Sequence, residues 1–235
     1  MDNASQKEMN LEKKYQRLCE LLREMESVLV GFSGGTDSAF LFKTAADVLG
    51  DNALGVTARS ASMPGRDLEE VKGFVERYQL RHEFLDTQEV CMPNYRKNPP
   101  DRCYHCKREI FGRMEELRRQ RGMKVLADGA NADDTEDYRP GARAARELNL
   151  RSPLQEAGLG KEDIRALSRR QQLPTWNKPS SACLASRFPY GVEITGEGLR
   201  RIDRCENFLR ELGLGQLRVR HHGSIARVEV QPEDF

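Results

Sequence analysis

The stretch Ser27-Val28-Leu29-Val30-Gly31-Phe32-Ser33-Gly34-Gly35-Thr36-Asp37-Ser38 decides the fold. A short apolar run enters a glycine-rich turn, and a helical pattern follows from about 38 to 49. An uninterrupted apolar run bounded by turn residues reads as a strand buried on both faces. Upstream, Leu11, Tyr15, Leu18, Leu22 and Met25 recur at helical spacing and predict an amphipathic helix over 5–26. Downstream, strands are expected at 53–58, 82–86 and 124–128, separated by helices at 66–79 and 104–120. Strand alternating with helix predicts an α/β fold, an open parallel sheet with helices on both faces.

The pattern changes after Arg139-Pro140-Gly141. Short helices are expected at 142–148 and 161–172, and a helix at 196–212 precedes strands at 216–221 and 225–230. Between them, residues 174–191 are rich in Pro, Ser and Gly and too long for an ordinary connector. The reading places a boundary near 150, with a nucleotide-binding domain over 1–150 and a smaller α+β domain over 151–235. Gln231-Pro232-Glu233-Asp234-Phe235 reads as the opening turn of a helix, so a further segment is expected beyond it.

Composition narrows the partners. The 38 Lys+Arg nearly balance 37 Asp+Glu, which gives no basic domain of the kind nucleic acid demands. The polar N-terminus lacks an apolar core, and no apolar run approaches the roughly 20 residues of a membrane helix. The expectation is a cytoplasmic protein without a membrane partner, in which the six cysteines stay reduced. Metal, cluster or catalytic roles then become the readings to weigh for those thiols.

The turn after the first strand has the chemistry of an anion site. Gly34 and Gly35 let the main chain approach a phosphate, and the exposed amides at the helix start supply partial positive charge. Ser33 and Ser38 offer hydroxyl donors, and Asp37 is placed to orient the loop or help hold Mg²⁺. No Gly-Lys-Ser/Thr follows, so this is not a Walker A loop. The other sheet-edge candidates are Arg59, after the second strand, and Gly129 with Asn131, after the fourth.

Cys103 and Cys106 form a C-x-x-C pair in Arg102-Cys103-Tyr104-His105-Cys106-Lys107. Alone, the pair fits half a zinc site, a redox pair or part of a cluster ligand set. No second C-x-x-C completes a four-cysteine zinc site, and the nearest useful partner is Cys183, in the long polar loop. Cys19 and Cys205 read as core or surface thiols; Cys91 stays undecided.

The phosphate turn resembles that of the PP-loop superfamily, whose members cleave ATP between the α- and β-phosphates and adenylate a substrate. With Asp128-Gly129-Ala130-Asn131-Ala132-Asp133-Asp134, Asp137-Tyr138-Arg139-Pro140-Gly141 and the Cys183 loop, the chain resembles the LarE family from about residue 10 onward. That family comprises ATP-dependent sulfur transferases acting in nickel-pincer nucleotide cofactor synthesis, for lactate racemase maturation. The resemblance implies a substrate, pyridinium-3,5-biscarboxylic acid mononucleotide, whose carboxylate is adenylated and then converted to a thiocarboxylate. One branch takes sulfur from its own cysteine, at the position of Cys183. The other holds a 4Fe–4S cluster on three cysteines, matched here by Cys103, Cys106 and Cys183, with one iron left open to an extra sulfide.

The implied cofactors are therefore ATP, Mg²⁺ and a 4Fe–4S cluster, and the implied partners are sulfide or another sulfur donor. The assembly implied by the resemblance is a homo-oligomer, with a hexamer the form the family suggests. Arg187, four residues after Cys183, is the foremost candidate to meet the substrate's anionic groups, with Arg218, Arg220 and Arg227 on the late strands and Glu193 and Glu206 to position them. The alternatives left open are ordinary thiols at Cys103 and Cys106 with Cys183 donating alone, a tRNA-thiolating enzyme, an amidotransferase, and a nucleotide-binding cluster sensor that consumes no ATP.

Overall fold

The computed structural model describes residues 3–135 and 140–234. The Asp137-Tyr138-Arg139 part of the sequence signature lies outside the described residues. Four parallel strands, β1 (Val28–Gly31), β2 (Ala53–Arg59), β3 (His82–Asp86) and β4 (Val125–Ala127), form one sheet in the order β3-β2-β1-β4. The order reverses between β1 and β4, which pair from Val28↔Val125 to Val30↔Ala127. In open α/β sheets such a reversal opens a crevice at the carboxyl ends of the strands. The phosphate turn follows β1 and the Asp128–Asp134 segment follows β4, so both leave the sheet at this crevice.

Alternation along the strands explains why both faces are covered. Val28, Val30 and Phe32 pack on α1 (Asn3–Met25) and α2 (Thr36–Leu49), through Leu18, Leu22, Met25, Phe40 and Phe42. The intervening Leu29, with Leu54, Val56 and Leu126, packs on the other side against Phe111 and Met114 of α5 (Arg102–Gln120) and Ala144 of α6 (Pro140–Glu147). The remaining early helices are α3 (Gly65–Tyr78) and the single turn α4 (Pro93–Arg96). The first core runs on across residue 150. Leu154 of α7 (Pro153–Glu156) and Ile164 and Leu167 of α8 (Lys161–Arg170) are fully buried in it.

A third core joins Tyr95 of α4 to Leu184, Ala185, Phe188 and Ile194, and to Leu199 and Ile202 of α9 (Gly196–Glu211). It fastens the long polar loop to the rest. Strands β5 (Arg218–His222) and β6 (Ile225–Glu229) form a separate antiparallel pair, with Val219 buried and most of β6 exposed. Every expected strand and long helix is present, shifted by no more than two residues. The single turns α4 and α7 were not legible, because four residues carry no periodicity; each begins on a proline, which suits a helix start. The expected opening helix turn at the end is a 3₁₀ turn at Pro232–Asp234.

Gly55 in β2 shows how closely sheet and helix meet. A Cβ there would lie 2.3 Å from two ring carbons of the fully buried Phe42. Gly55→Ala is expected to cost about 1–3 kcal/mol through overpacking, read as a lower urea midpoint. An unchanged midpoint contradicts this packing.

Candidate functional site

Ser33-Gly34-Gly35-Thr36-Asp37-Ser38 wraps the start of α2. Gly34 takes φ +75°, a conformation closed to most side chains, and a Cβ there would come 2.8 Å from Val71. Gly35 caps the helix with no side chain in the way. The first amides of a helix have no intrahelical partner, and here they open onto the crevice after β1. Ser38 Oγ donates to the Gly35 carbonyl at 3.2 Å, lies 3.0 Å from Ser33 Oγ and accepts from the Ser33 amide at 3.3 Å. These bonds hold the turn in a tight ring.

The segment after β4 closes on that ring. A Cβ on Gly129 would stand 3.0 Å from the backbone of Ser38, so only glycine lets the two chains pass without a shift. Asn131, fully buried, donates from Nδ2 to Asp37 Oδ2 at 3.0 Å and accepts from the Asp133 amide at 2.9 Å. Burial pushes the Asp37 carboxyl above its ordinary value, against the Asn131 hydrogen bond, and the Asp134 carboxylate adds to the rise. An anion held under that strain beside a helix N-terminus is suited to a cation, as a Mg²⁺–nucleotide would bring. Arg59 stands further along the edge, in a bidentate pair with Asp86 at 2.6 and 2.9 Å.

The second half of the site is built around a loop without regular structure. Cys183 is exposed and immediately precedes a 3₁₀ turn at Leu184–Arg187. Backbone carbonyls in such a loop need donors, and buried arginines supply them. Arg187 donates to the carbonyls of Ala182 at 2.7 Å and Cys183 at 3.2 Å and to Ser186 Oγ at 3.0 Å, and grips Glu206 at 2.8 and 3.0 Å. The residue is 4% exposed, so its guanidinium faces protein and positions the loop. Arg102 donates to the Ala185 carbonyl at 3.0 Å and to Asn98 Oδ1 at 2.6 Å, while Asn98 Nδ2 donates to the Pro189 carbonyl at 2.7 Å. Because Arg102 opens α5, this clasp brings the C-x-x-C pair to the Cys183 loop.

Cys106 lies against the third core, and Cys103 is exposed, 3.9 Å from Arg102 Nη2. Burial pushes the Cys106 thiol up to about 12, and nearby Glu89, Cys183 and Cys103 reinforce the rise. The three predicted cysteines therefore share one electrostatic neighbourhood. Among the described residues no three His, Cys, Asp or Glu side chains stand close enough to hold a single metal ion. A four-iron cube needs its thiolates spread wider than one ion does; the buried Glu89 opposes such an anionic group, and Arg102 favours it. Arg102 is buried with no carboxylate partner among the described residues. A buried cation without a counter-charge is costly, and anionic sulfur ligands provide one.

The late strands add the last candidates. Glu206, 1% exposed, is taken up by Arg187, by Arg210 at 3.1 Å and by the Val219 amide at 3.0 Å. Arg220 pairs with Glu229 at 2.9 Å and donates to the Ser186 carbonyl at 3.0 Å. Arg227 also pairs with Glu229, at 2.8 Å, and Glu193 pairs with Arg96. Arg218, half-buried, forms no ion pair among the described residues.

Comparisons with known proteins agree with this layout. A family model for NAD synthase matches residues 11–110, the span of the phosphate turn and the first three strands. The pyridinium-3,5-bisthiocarboxylic acid mononucleotide synthase of Lactiplantibacillus plantarum is 35% identical over 218 residues, 92% of this chain and 79% of that protein. The chain belongs to the LarE family. It is thereby an enzyme of the PP-loop type, and PP-loop membership implies ATP binding, with Mg²⁺. An uncharacterised protein of Synechocystis sp. is 44% identical over 96% of this chain and 84% of its own length. A protein of Methanocaldococcus jannaschii is 28% identical over 94% of this chain. Among the described residues no helix is long and apolar enough to cross a membrane.

Three residues of this LarE-family site escaped the sequence reading. Arg102 and Asn98 flank the C-x-x-C pair but announce no role, since their partners lie more than eighty residues on. Lys178 was legible only as part of the polar loop; it donates to the Gly34 carbonyl at 3.0 Å.

The Arg187–Glu206 pair yields a test. Burial raises the Glu206 carboxyl, but Arg187, the Val219 amide and Arg210 outweigh it and hold the group below its ordinary value. Its contribution is therefore present above the unfolded value of about 4.3 and lost as pH falls through the folded value. Glu206→Gln is expected to cost about 3 kcal/mol at neutral pH and to remove this part of the acid transition, both read by urea unfolding across pH. Neutral stability equal to wild type contradicts the buried pair.

Proposed function

We propose that this chain converts a carboxylate of pyridinium-3,5-biscarboxylic acid mononucleotide into a thiocarboxylate at the expense of ATP. The carrying observation is that the arginine clasp ties the start of α5, which bears Cys103 and Cys106, to the loop of Cys183, and that this loop is tied in turn to the phosphate turn. The first half-reaction is adenylation. A substrate carboxylate oxygen attacks the α-phosphorus, the bond to the β-phosphate oxygen breaks, and pyrophosphate leaves. The turn amides and the Ser33 and Ser38 hydroxyls hold the phosphates, while Asp37 faces their Mg²⁺. Arg59, Gly129 and Asn131 complete the nucleotide side.

A free carboxylate is a poor electrophile because oxide cannot leave; AMP can. In the second half-reaction a sulfur nucleophile attacks the acyl carbon and the bond to the AMP oxygen breaks. Cys103, Cys106 and Cys183 would hold a 4Fe–4S cluster, which when bound supplies an iron free of protein ligands to carry the extra sulfide. Arg187 and Glu206 hold the Cys183 loop in place. Arg218, with no ion-pair partner among the described residues, and Arg220 face the substrate's phosphate and second carboxylate. ATP binding falls to residues before 150, whereas sulfur transfer joins Cys103 and Cys106 of the first part of the chain to Cys183 of the second. We place the reaction in the cytoplasm, in a homo-oligomer renewed by sulfide or a sulfur donor, within nickel-pincer nucleotide synthesis for lactate racemase.

Protein purified without oxygen, and reconstituted with iron and sulfide, tests the reading. About four irons per chain are expected, with visible absorption lost in both Cys103→Ala and Cys183→Ala, and pyrophosphate release that requires the mononucleotide. Absence of iron after reconstitution contradicts the cluster; Cys183 is then a single-use donor, read as a mass loss of one H₂S. Absence of substrate-dependent pyrophosphate contradicts the adenylation.

A further inference from the structure

Lys178 stands five residues before Cys183 and reaches back to the phosphate turn. Its ammonium donates to the Gly34 carbonyl at 3.0 Å, pairs with Glu70 at 2.6 Å and lies 3.6 Å from Asp67. The side chain is only 15% exposed. Three more bonds tie the same loop to the same region. Thr36 Oγ1 donates to the Thr175 carbonyl at 2.7 Å, Ser181 Oγ donates to Asp67 at 2.8 Å, and the Leu184 amide donates to the Ser62 carbonyl at 2.8 Å.

The carbonyl that Lys178 holds belongs to the same peptide unit as the Gly35 amide, at the start of α2. The ammonium is therefore one peptide away from the groups that meet an anion. A lysine is a compact point charge on a flexible stem, able to exchange partners without rebuilding the backbone. At rest Glu70 is shared between Lys178 and Arg66, so Glu70 keeps a cation when Lys178 leaves.

We propose that Lys178 reads the phosphates of ATP for the loop that carries Cys183. When nucleotide occupies the turn, the ammonium exchanges Glu70 for the phosphate oxygens and draws residues 174–184 against the adenylation site. When AMP departs at the end of sulfur transfer, Lys178 returns to Glu70 and the loop relaxes. Sulfur delivery is thereby kept in step with activation. This inference rests on the ATP-dependent reading above and adds a residue that binds nucleotide from the sulfur-transfer side.

The test uses the whole protein with α,β-methylene-ATP and Mg²⁺, a nucleotide that cannot be cleaved at the reacting bond. Hydrogen exchange is followed in peptides spanning 33–38 and 174–184, and nucleotide affinity is measured by calorimetry. In wild type, nucleotide is expected to slow exchange several-fold in both peptides. In Lys178→Gln, protection at 33–38 is expected to remain while protection at 174–184 is lost, with nucleotide binding about ten-fold weaker; Lys178→Arg restores both. Glu70→Gln frees the ammonium from its resting partner and is expected to bind nucleotide several-fold tighter. Nucleotide-dependent protection at 174–184 persisting in Lys178→Gln overturns the inference. So does Glu70→Gln binding more weakly than wild type, as a mere structural latch would require. No protection at 33–38 in wild type overturns the ATP reading itself, and the inference with it.

Discussion

The site depends on how the carbonyl groups of an irregular loop find donors. Residues 182–186 form no sheet and only a short turn, so their backbone satisfies itself only in part, through the Ser186 and Phe188 amides on the Cys183 and Ala185 carbonyls. Arg187 takes the carbonyls of Ala182 and Cys183, Arg102 takes that of Ala185, and Arg220 takes that of Ser186. Each arginine also ties the loop to another element: Arg187 to α9 through Glu206, Arg102 to α5, and Arg220 to β5. An exposed cysteine is thereby fixed in position although it sits on a loop. The clasp costs the burial of Arg102, which has no carboxylate partner among the described residues and lies beside Cys103.

Two sets of contacts then join chemistry to chemistry. The phosphate turn is shaped by close approach, at Gly34 against Val71 and at Gly129 against Ser38, which opens its amides to an anion. The loop bearing Cys183 is fastened to that turn through Thr36 and Lys178. An acyl adenylate hydrolyses if it waits in water, so an enzyme that makes one benefits from having its nucleophile already adjacent. Here the loop of Cys183 meets the phosphate turn after β1, beside the reversal of strand order.

The sheet and the phosphate turn were legible in the sequence because they rest on local patterns. An apolar run such as Val28-Leu29-Val30 has one reading when glycines follow it, and Ser-Gly-Gly-x-Asp-Ser is a dense signature. The C-x-x-C pair was equally visible, as was Cys183. Their convergence was expected only through the family resemblance, because it depends on hydrogen bonds between Asn98 or Arg102 and residues some ninety positions away, which leave no trace in spacing. Arg187 drew notice as a cation near Cys183; its burial against Glu206 follows from α9 packing over the loop, which no local pattern encodes. Lys178 was hidden for the opposite reason, since a lysine in a polar loop is expected to face solvent.

The central claim is that the arginine clasp places Cys183 beside Cys103 and Cys106 in the folded chain. Dibromobimane, which bridges two thiols over a short span, measures this directly on cluster-free protein, with the bridged peptides identified by mass spectrometry. The account predicts a bridge from Cys183 to Cys103 or Cys106 in native protein, and its loss in urea. Single labelling of each cysteine with no bridge in the native protein would contradict the account.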